Sequence, residues 1–398
     1  MKILWICPTF LHPTTRGGQI RTLGMLRELH RSHEIHFAAL QRPEDSESAA
    51  HSGEYCSHSY PIPHHPRAAR SPVFWAQAAG GLLSAVPVAV SRWRSAALRH
   101  RAGQLLAHQR FDRVVCDFLA AAPNVPALER ATLFQHNVET IIWERLRDTA
   151  SNPFRRAAYG YEAARMSAYE RKVCRAAGQV IAVSDADADQ MRSRFGVTRI
   201  ATVPTGVDID FFEPPPQCEP AADLVFTGSM NWMANIDGVT YFTKEILPLI
   251  LARKPACRVA IVGRTPPRAI TRLAEIHPNV SVTGTVPDMR PYVWGSKVFI
   301  VPLRIGGGTR LKIFEAMAAR LPVVSTSVGA EGLPVTHGEN IILADDAPTF
   351  AEACLNLLDD TAARERFSRA GWNLVATKYS WRHAAECFER ILETAPGA

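Results

Sequence analysis

"KVFIVPLRIGGGTRLKIFEAMAARLPVVSTS", Lys297 to Ser327, reads as a strand, a glycine turn, a helix and a second strand. The run "KVFIVPL" lacks polar alternation, as a strand buried on both faces must. Gly306, Gly307 and Gly308 let the backbone turn sharply and approach a ligand, and the helix after them offers unpaired N–H groups suited to an anion. The spacing predicts a helix from near Thr309, on which Lys312, Glu315 and Ala319 share one face while Arg310 lies with Phe314 and Met317 on another. Lys312 and Glu315 can thus serve one ligand, the ammonium facing a diphosphate and the carboxylate accepting ribose hydroxyls. Without a ligand the same pair is an i,i+3 surface ion pair, stabilising by about 0.2 to 0.5 kcal/mol.

The strand-then-helix pattern recurs along all 398 residues, which predicts an α/β protein with parallel sheets covered by helices. In the first half "KILWIC", "HEIHFAAL", "FDRVVCDF", "ATLFQH", "GQVIAVS" and "RIATVP" read as strands, with helices from about Gln19, Ser91, Glu139, Phe154 and Ala186. The stretch "TVPTGVDIDFFEPPPQCEP", Thr202 to Pro220, is a stiff proline-rich connection, after which the pattern restarts with "DLVFTGSM", "CRVAIVGR", "VSVTGTV", "KVFIVPL" and "LPVVSTS". Helices near Ala347, Thr361 and Ser380 close the chain. The expected architecture is two Rossmann-like doubly wound domains, residues 1–204 and 205–380, facing an interdomain cleft, with 381–398 a closing helix that packs back toward the first domain.

With 47% hydrophobic and 21% charged residues, the composition is that of a soluble globular protein with two cores. The eight scattered cysteines form no CxxC pair, which suits reduced thiols and a cytoplasmic location. The opening "MKILWICPTFLHP", broken by Pro8 and Pro13, reads as a buried strand rather than a secretory signal. Ser71 to Ser91 is uncharged, but Gly80, Gly81 and Pro87 make it a buried or interfacial helix-turn segment rather than a membrane span. The net charge of +7, with cations dense from Arg92 to Arg101 and from Arg155 to Arg175, suits a phosphorylated substrate or an anionic membrane surface and a peripheral place on the inner face of the cell membrane. Nucleic acid is not an expected partner, because helix-turn-helix, zinc-finger and aromatic RNA-binding patterns are all missing. The histidines and Cys56 of "HSGEYCSHSYPIPHHP" match no zinc spacing, that segment reading as a strand entering a proline-rich loop, and "SDADAD" reads as a helix start capped by Ser184.

Polar residues at the carboxyl ends of parallel strands belong to the ligand crevice. In "RGGQIRT", Gly17 and Gly18 either admit a phosphate or sugar against the backbone or form a plain turn. "LFQHNVET" places His136 and Asn137, followed by Glu139, where a side chain can bind a hydroxyl or act on its proton. Gly263 and Arg264 in "VGR", with Thr285 and Val286 in "TGTVPD", follow strands of the second half, where backbone groups can read a nucleobase edge and Arg264 a phosphate or base.

Together "RGGQIRT", "HNVE", "VPTGVD", "FTGSMNWMANIDG", "VGR", "VTGTVPD" and "GGGTRLKIFEAMAARLPVVSTSVGAEGL" resemble glycosyltransferase family 4, retaining enzymes of the GT-B fold. The resemblance runs from the first strand to the closing helix and is most specific from Phe226 to Gly332. The pairing of "HNVE" with "GTRLKIFEAMA" is similar to sugar transferases of bacterial exopolysaccharide clusters of the PEP-CTERM/EpsH type. The resemblance implies a UDP- or GDP-type nucleotide sugar on the C-terminal domain, a glycan or lipid-linked acceptor on the N-terminal domain, and neither metal nor other cofactor. It assigns Glu315 to the donor ribose, His136 to the neighbourhood of the reacting sugar, and Gly17 and Gly18 to the N-terminal glycine loop. With Lys312, the first two form the expected catalytic set. The expected donor site comprises Gly228, Gly263, Arg264, Thr285, Val286, Arg304, Gly306, Gly307, Gly308, Thr309, Arg310, Leu311, Lys312 and Glu315, and Asn137 and Glu139 join the acceptor side.

Two departures stand out. The family carboxylate eight positions before Glu315 is Gly307 here, and the cations that often follow "LVFTG" are missing from "SMNWMANIDG". The expected substitutes are the glycine backbone for the carboxylate, and Lys312 with Arg304 or Arg310 for the cations. Competing readings are a nucleotide-sugar epimerase on the same fold and a non-catalytic nucleotide-sugar binder.

Overall fold

The computed structural model describes residues 1–14, 17–64, 86–150, 152–230, 232–305 and 311–395. Two units divide the chain, Met1–Thr205 with Ala384–Ala398, and Gly206–His383. In unit 1, strands β1 (Lys2–Cys7), β2 (Glu34–Gln41), β3 (His58–Pro63), β4 (Arg113–Asp117), β5 (Ala131–Phe134), β6 (Gln179–Ala182) and β7 (Ile200–Thr202) lie in the order β3-β2-β1-β4-β5-β6-β7. In unit 2, β8 (Ala222–Thr227), β9 (Val259–Val262), β10 (Val280–Val282), β11 (Ser296–Val301), β12 (Val323–Ser325) and β13 (Ile342–Leu343) lie in the order β10-β9-β8-β11-β12-β13. Among the described residues every strand pair is parallel.

Helices cover both faces of such sheets, so the strands are near-continuous apolar runs, and Ile3, Leu4, Trp5 and Ile6 have no exposed surface. Each sheet grows first to one side of its opening strand and then to the other. The reversal falls between β1 and β4 in unit 1 and between β8 and β11 in unit 2, and ligands of doubly wound sheets bind at the carboxyl ends of the strands there.

Local chemistry sets the helix boundaries. Asn152 accepts from the N–H groups of Phe154 and Arg155 and opens Pro153–Ala176, with Pro153 at the first position where its missing N–H costs nothing. Ser184 accepts from the Asp187 N–H and opens Asp185–Phe195, so "SDADAD" is a helix start, and Gly196 ends that helix at φ 68°. The final helices are Ala347–Asp359, Thr361–Lys378 and Trp381–Thr394. Phe388 on the last is fully buried against Trp5 and Phe134, with ring centroids 5.5 and 5.1 Å away, a burial that stabilises unit 1 by about 1.5 to 3 kcal/mol.

The two-residue strand β13 was too short to show a pattern in the sequence. Most of the uncharged Ser71 to Ser91 segment lies outside the described residues, its end forming the short helix Val88–Ser91. Among the described residues no helix is long and apolar enough to cross a membrane.

Candidate functional site

Asp117 ends β4 with no exposed surface. Its Oδ2 accepts from Thr22 Oγ1 at 2.7 Å and from Trp5 Nε1 at 3.1 Å. Its Oδ1 lies 2.6 Å from His136 Nε2, while His136 Nδ1 lies 3.2 Å from Arg21 Nη1. A guanidinium only donates, so Nδ1 accepts and the imidazole proton sits on Nε2, donated to Asp117. Burial holds the His136 pKa below its ordinary value, against the opposing pull of Asp117, so the ring is neutral at pH 7. Arg21 also donates Nε to Thr205 Oγ1 at 3.1 Å, and although burial lowers its pKa to about 10 it stays charged at neutral pH. A neutral histidine therefore bridges a buried anion and a buried cation, the pairing that makes such burial tolerable.

This arrangement corrects the expectation that His136 acts on a hydroxyl proton. The residue is 2% exposed and both ring nitrogens are engaged, so no lone pair is left for a substrate. Phe118 lies over it, ring centroids 3.9 Å apart and planes 8° apart. A Cβ on Gly18 would come within 2.6 Å of the Phe118 ring, whereas one on Gly17 would meet nothing among the described residues within 4 Å. Gly18 is thus required by packing, as the plain-turn reading allows.

The His136 loop is tied down from behind by Glu170, fully buried on the helix Pro153–Ala176. Its Oε1 accepts from Gln135 Nε2 and the Glu139 N–H, both at 2.9 Å. Its Oε2 accepts from the Thr140 N–H at 2.9 Å and the Thr140 hydroxyl at 2.6 Å. Val138 offers no side-chain cap to the helix Glu139–Thr149, so Glu170 supplies it from a distance. Burial pushes the Glu170 carboxyl up to about 7 against these donors. Burial also raises the Glu139 carboxyl, opposed by a hydrogen bond from Asn137, so the two expected acceptor-side residues hold each other.

At the other switch point, the Gly228 N–H donates to Val262 O at 3.0 Å, and a Cβ on Gly263 would lie 1.7 Å from Gly228 O, so only glycine fits at 263. A Cβ on Gly228 would lie 2.7 Å from Asn235 Nδ2 and 2.9 Å from Lys312 Nζ. Glycine here therefore lets Lys312 reach the end of β8. Its ammonium donates to Asn235 Oδ1 at 2.9 Å and lies 4.2 Å from the Phe226 ring centroid. Buried Ile313, Phe314 and Met317 anchor the helix Leu311–Ala318 and leave Lys312 and Glu315 half-buried on its other side. Among the described residues the Glu315 carboxylate accepts no hydrogen bond, and burial pushes its pKa up to about 7 despite Lys312.

The rest of the expected donor set is less uniform. Arg304 forms a two-point ion pair with Asp237, Nη2 to Oδ1 at 2.7 Å and Nε to Oδ2 at 3.1 Å, so its charge is already matched. Arg264 donates Nε to Ser229 Oγ at 3.1 Å, holding the loops after β8 and β9 together. Thr285 is exposed and Val286 packs on the core. Leu311 opens the helix, while Gly306, Gly307, Gly308, Thr309 and Arg310 lie outside the described residues. At the opposite end of the unit 1 sheet, Glu34, His36 and His58 have metal-ligand spacing, but Lys2 Nζ already lies 3.2 Å from the carboxylate.

Two family profiles match the chain, Glycosyltransferase Family 4 over residues 15–211 and Glycosyl transferases group 1 over residues 221–360. The chain belongs to the family 4 glycosyltransferases. This glycosyltransferase is 20% identical to an uncharacterized 44.6 kDa protein in the cps region of Klebsiella pneumoniae, over 95% of this chain and 96% of that one. Sucrose-phosphate synthase from Thermosynechococcus elongatus matches its structure with a TM-score of 0.70 at 16% identity, covering 98% of both chains. Anabaena HepE, solved with UDP and glucose, matches with a TM-score of 0.68 at 14% identity, over 99% of this chain and 100% of that one. The fold is GT-B, with two Rossmann-like domains. Sequence reasoning about this glycosyltransferase missed Asp117, Arg21, Glu170 and Asn235. Only Asp117 had a local signal, an acidic residue at the carboxyl end of a parallel strand.

Proposed function

We propose that this glycosyltransferase moves a sugar, with retention of anomeric configuration, from a UDP- or GDP-type donor on unit 2 to a glycan or lipid-linked acceptor on unit 1, in the synthesis of a cell-surface or extracellular polysaccharide. It does so with neither metal nor other cofactor. The observation that carries this reading is the pair Lys312 and Glu315, a cation and a carboxylate without hydrogen-bond donors among the described residues, together beside the β8–β11 switch point. The Lys312 ammonium stabilises charge as it develops on the leaving diphosphate, and the Glu315 carboxylate accepts the ribose hydroxyls. His136 has no free lone pair, so the leaving phosphate takes the acceptor proton in a front-side attack. The glycine backbone around Gly307 contacts the sugar in place of the missing carboxylate. The UDP and glucose of HepE and the cps-region setting of the Klebsiella protein support the donor class and the pathway.

A thermal-shift panel of nucleotide diphosphates and nucleotide sugars tests the donor site. A UDP or GDP form is expected to raise the unfolding temperature, and Lys312→Ala and Glu315→Gln each to weaken it by about 10-fold or more, the worth of one hydrogen bond to a charged group. Unchanged affinity in both folded variants defeats the assignment.

The acceptor side lies against an anionic membrane. Ile142, Leu146, Phe154 and Tyr161 are exposed on the helices Glu139–Thr149 and Pro153–Ala176, beside exposed Arg155 and Arg156. Exposed apolar side chains ringed by cations suit the interface of a charged bilayer. The protein is expected to float with phosphatidylglycerol vesicles at low salt and to be released at high salt; no flotation at low salt refutes the placement.

A further inference from the structure

Phe118 has a backbone conformation, φ 69° and ψ 145°, that is essentially reserved for glycine. Strain of that kind persists only where the surroundings enforce it. Here the Phe118 N–H donates to Phe134 O at 3.0 Å, and the preceding residue is the triply bonded Asp117. The ring rests on His136, and Gly18 gives up its side chain to admit the ring's rim. A core phenylalanine needs none of this, since ordinary strand backbone buries one readily. What the strained turn achieves is to carry an aromatic ring just past the carboxyl end of β4, at the switch point, and to leave it half-buried rather than buried.

We propose that Phe118 is the acceptor-contacting residue of unit 1, its uncovered ring surface being the wall against which a pyranose of the acceptor packs. This rests on the reading that the acceptor binds unit 1, and adds the class of group bound there. A pyranose turns a face of C–H bonds outward, and these weakly positive hydrogens are attracted by the negative π cloud of an aromatic ring. The network of Asp117, His136 and Arg21 then has a purpose beyond stability. It fixes the ring behind Phe118 in one tautomer and one orientation, so the wall does not tilt. The hydroxyls of the pyranose require polar partners at the rim, and Asn137 is the residue directly after His136. At Gly17 an added Cβ meets nothing among the described residues within 4 Å.

Saturation-transfer difference NMR on the full-length protein tests the wall, using octyl glucoside, galactoside, mannoside and N-acetylglucosaminide as probes. At least one pyranoside is expected to take up saturation from the wild type, to bind about threefold to tenfold more weakly to Phe118→Gly, and to recover with Phe118→Tyr. Glycine accepts φ 69° without strain, so Phe118→Gly removes the ring and spares the fold, and it is expected to unfold at a higher temperature than Phe118→Ala. Phe118→Leu, which keeps apolar bulk without a π face, is the second variant and is expected to behave as Phe118→Gly does. If none of the four pyranosides binds the wild type, or if Phe118→Gly or Phe118→Leu binds them equally well, the proposal is overturned. UDP and GDP binding is read on the same samples. Loss of the donor reading shows as wild type that ignores nucleotides, while loss of this one shows as pyranoside binding indifferent to residue 118.

Discussion

Asp117 and Glu315 each stand beside the switch point of a doubly wound parallel sheet, and their carboxylates are treated in opposite ways. Asp117 is inaccessible to solvent and meets three donors, from Trp5, Thr22 and His136. Glu315 is half-buried, meets none among the described residues, and is pushed up to about 7 by the water it has lost. The same topology thus yields a closed, self-satisfied site in unit 1 and an open one in unit 2. A closed network positions what lies above it, here the Phe118 ring. An unsatisfied carboxylate beside a lysine has its hydrogen bonds still to make, and a ligand can make them.

The largest test of this contrast is in stability. Asp117→Ala strips three buried donors of their acceptor and removes one of the two carboxylates, Asp187 being the other, whose charge favours the buried Arg21 cation, so it is expected to cost about 3 to 5 kcal/mol by urea denaturation. Glu315→Gln, which removes a charge that meets no donors, is expected to cost less than about 1 kcal/mol. A greater loss from Glu315→Gln than from Asp117→Ala would reverse the contrast.

A smaller effect sharpens the open side. Burial favours the protonated Glu315 carboxyl, so its contribution to stability is full below the ordinary carboxylate value and is lost as pH rises through about 7. Nucleotide binding runs the other way, because the ribose hydroxyls need the carboxylate as acceptor. Affinity is expected to fall as pH drops below about 7, by up to about tenfold per unit, and Glu315→Gln to remove that part of the slope. Calorimetric titrations at pH 6, 7 and 8 measure both proteins. Parallel slopes would mean that the nucleotide phosphate alone titrates.

The fold was legible because parallel strands covered on both faces spell themselves out as apolar runs: "KILWIC" and "FDRVVCDF" contain the strands they announce, and "KVFIVPL" holds all of its strand but the first residue, Ser296. The shared face of Lys312 and Glu315 was legible for a similar reason, since helical spacing places them together regardless of what lies around them. Glu170 was not, because a glutamate in the middle of a 24-residue helix looks like any solvated one. Its only trace was negative, a helix starting at Glu139 with no capping residue before it. His136 misled because chain position indicates the end of the strand but says nothing of what covers it. Arg21 and Phe118 do the covering from elements 115 and 18 positions away.

The path of the last helix bears on the order in which the protein matures. Phe388 completes the packing around Trp5 and Phe134, yet everything in unit 2 is synthesised between those residues and Phe388. Unit 1 therefore starts to leave the ribosome before unit 2 and is finished after it. Until translation delivers the final helix, the underside of β1 and β5 is a bare aromatic surface, and a nascent chain stalled anywhere in unit 2 presents it to chaperones.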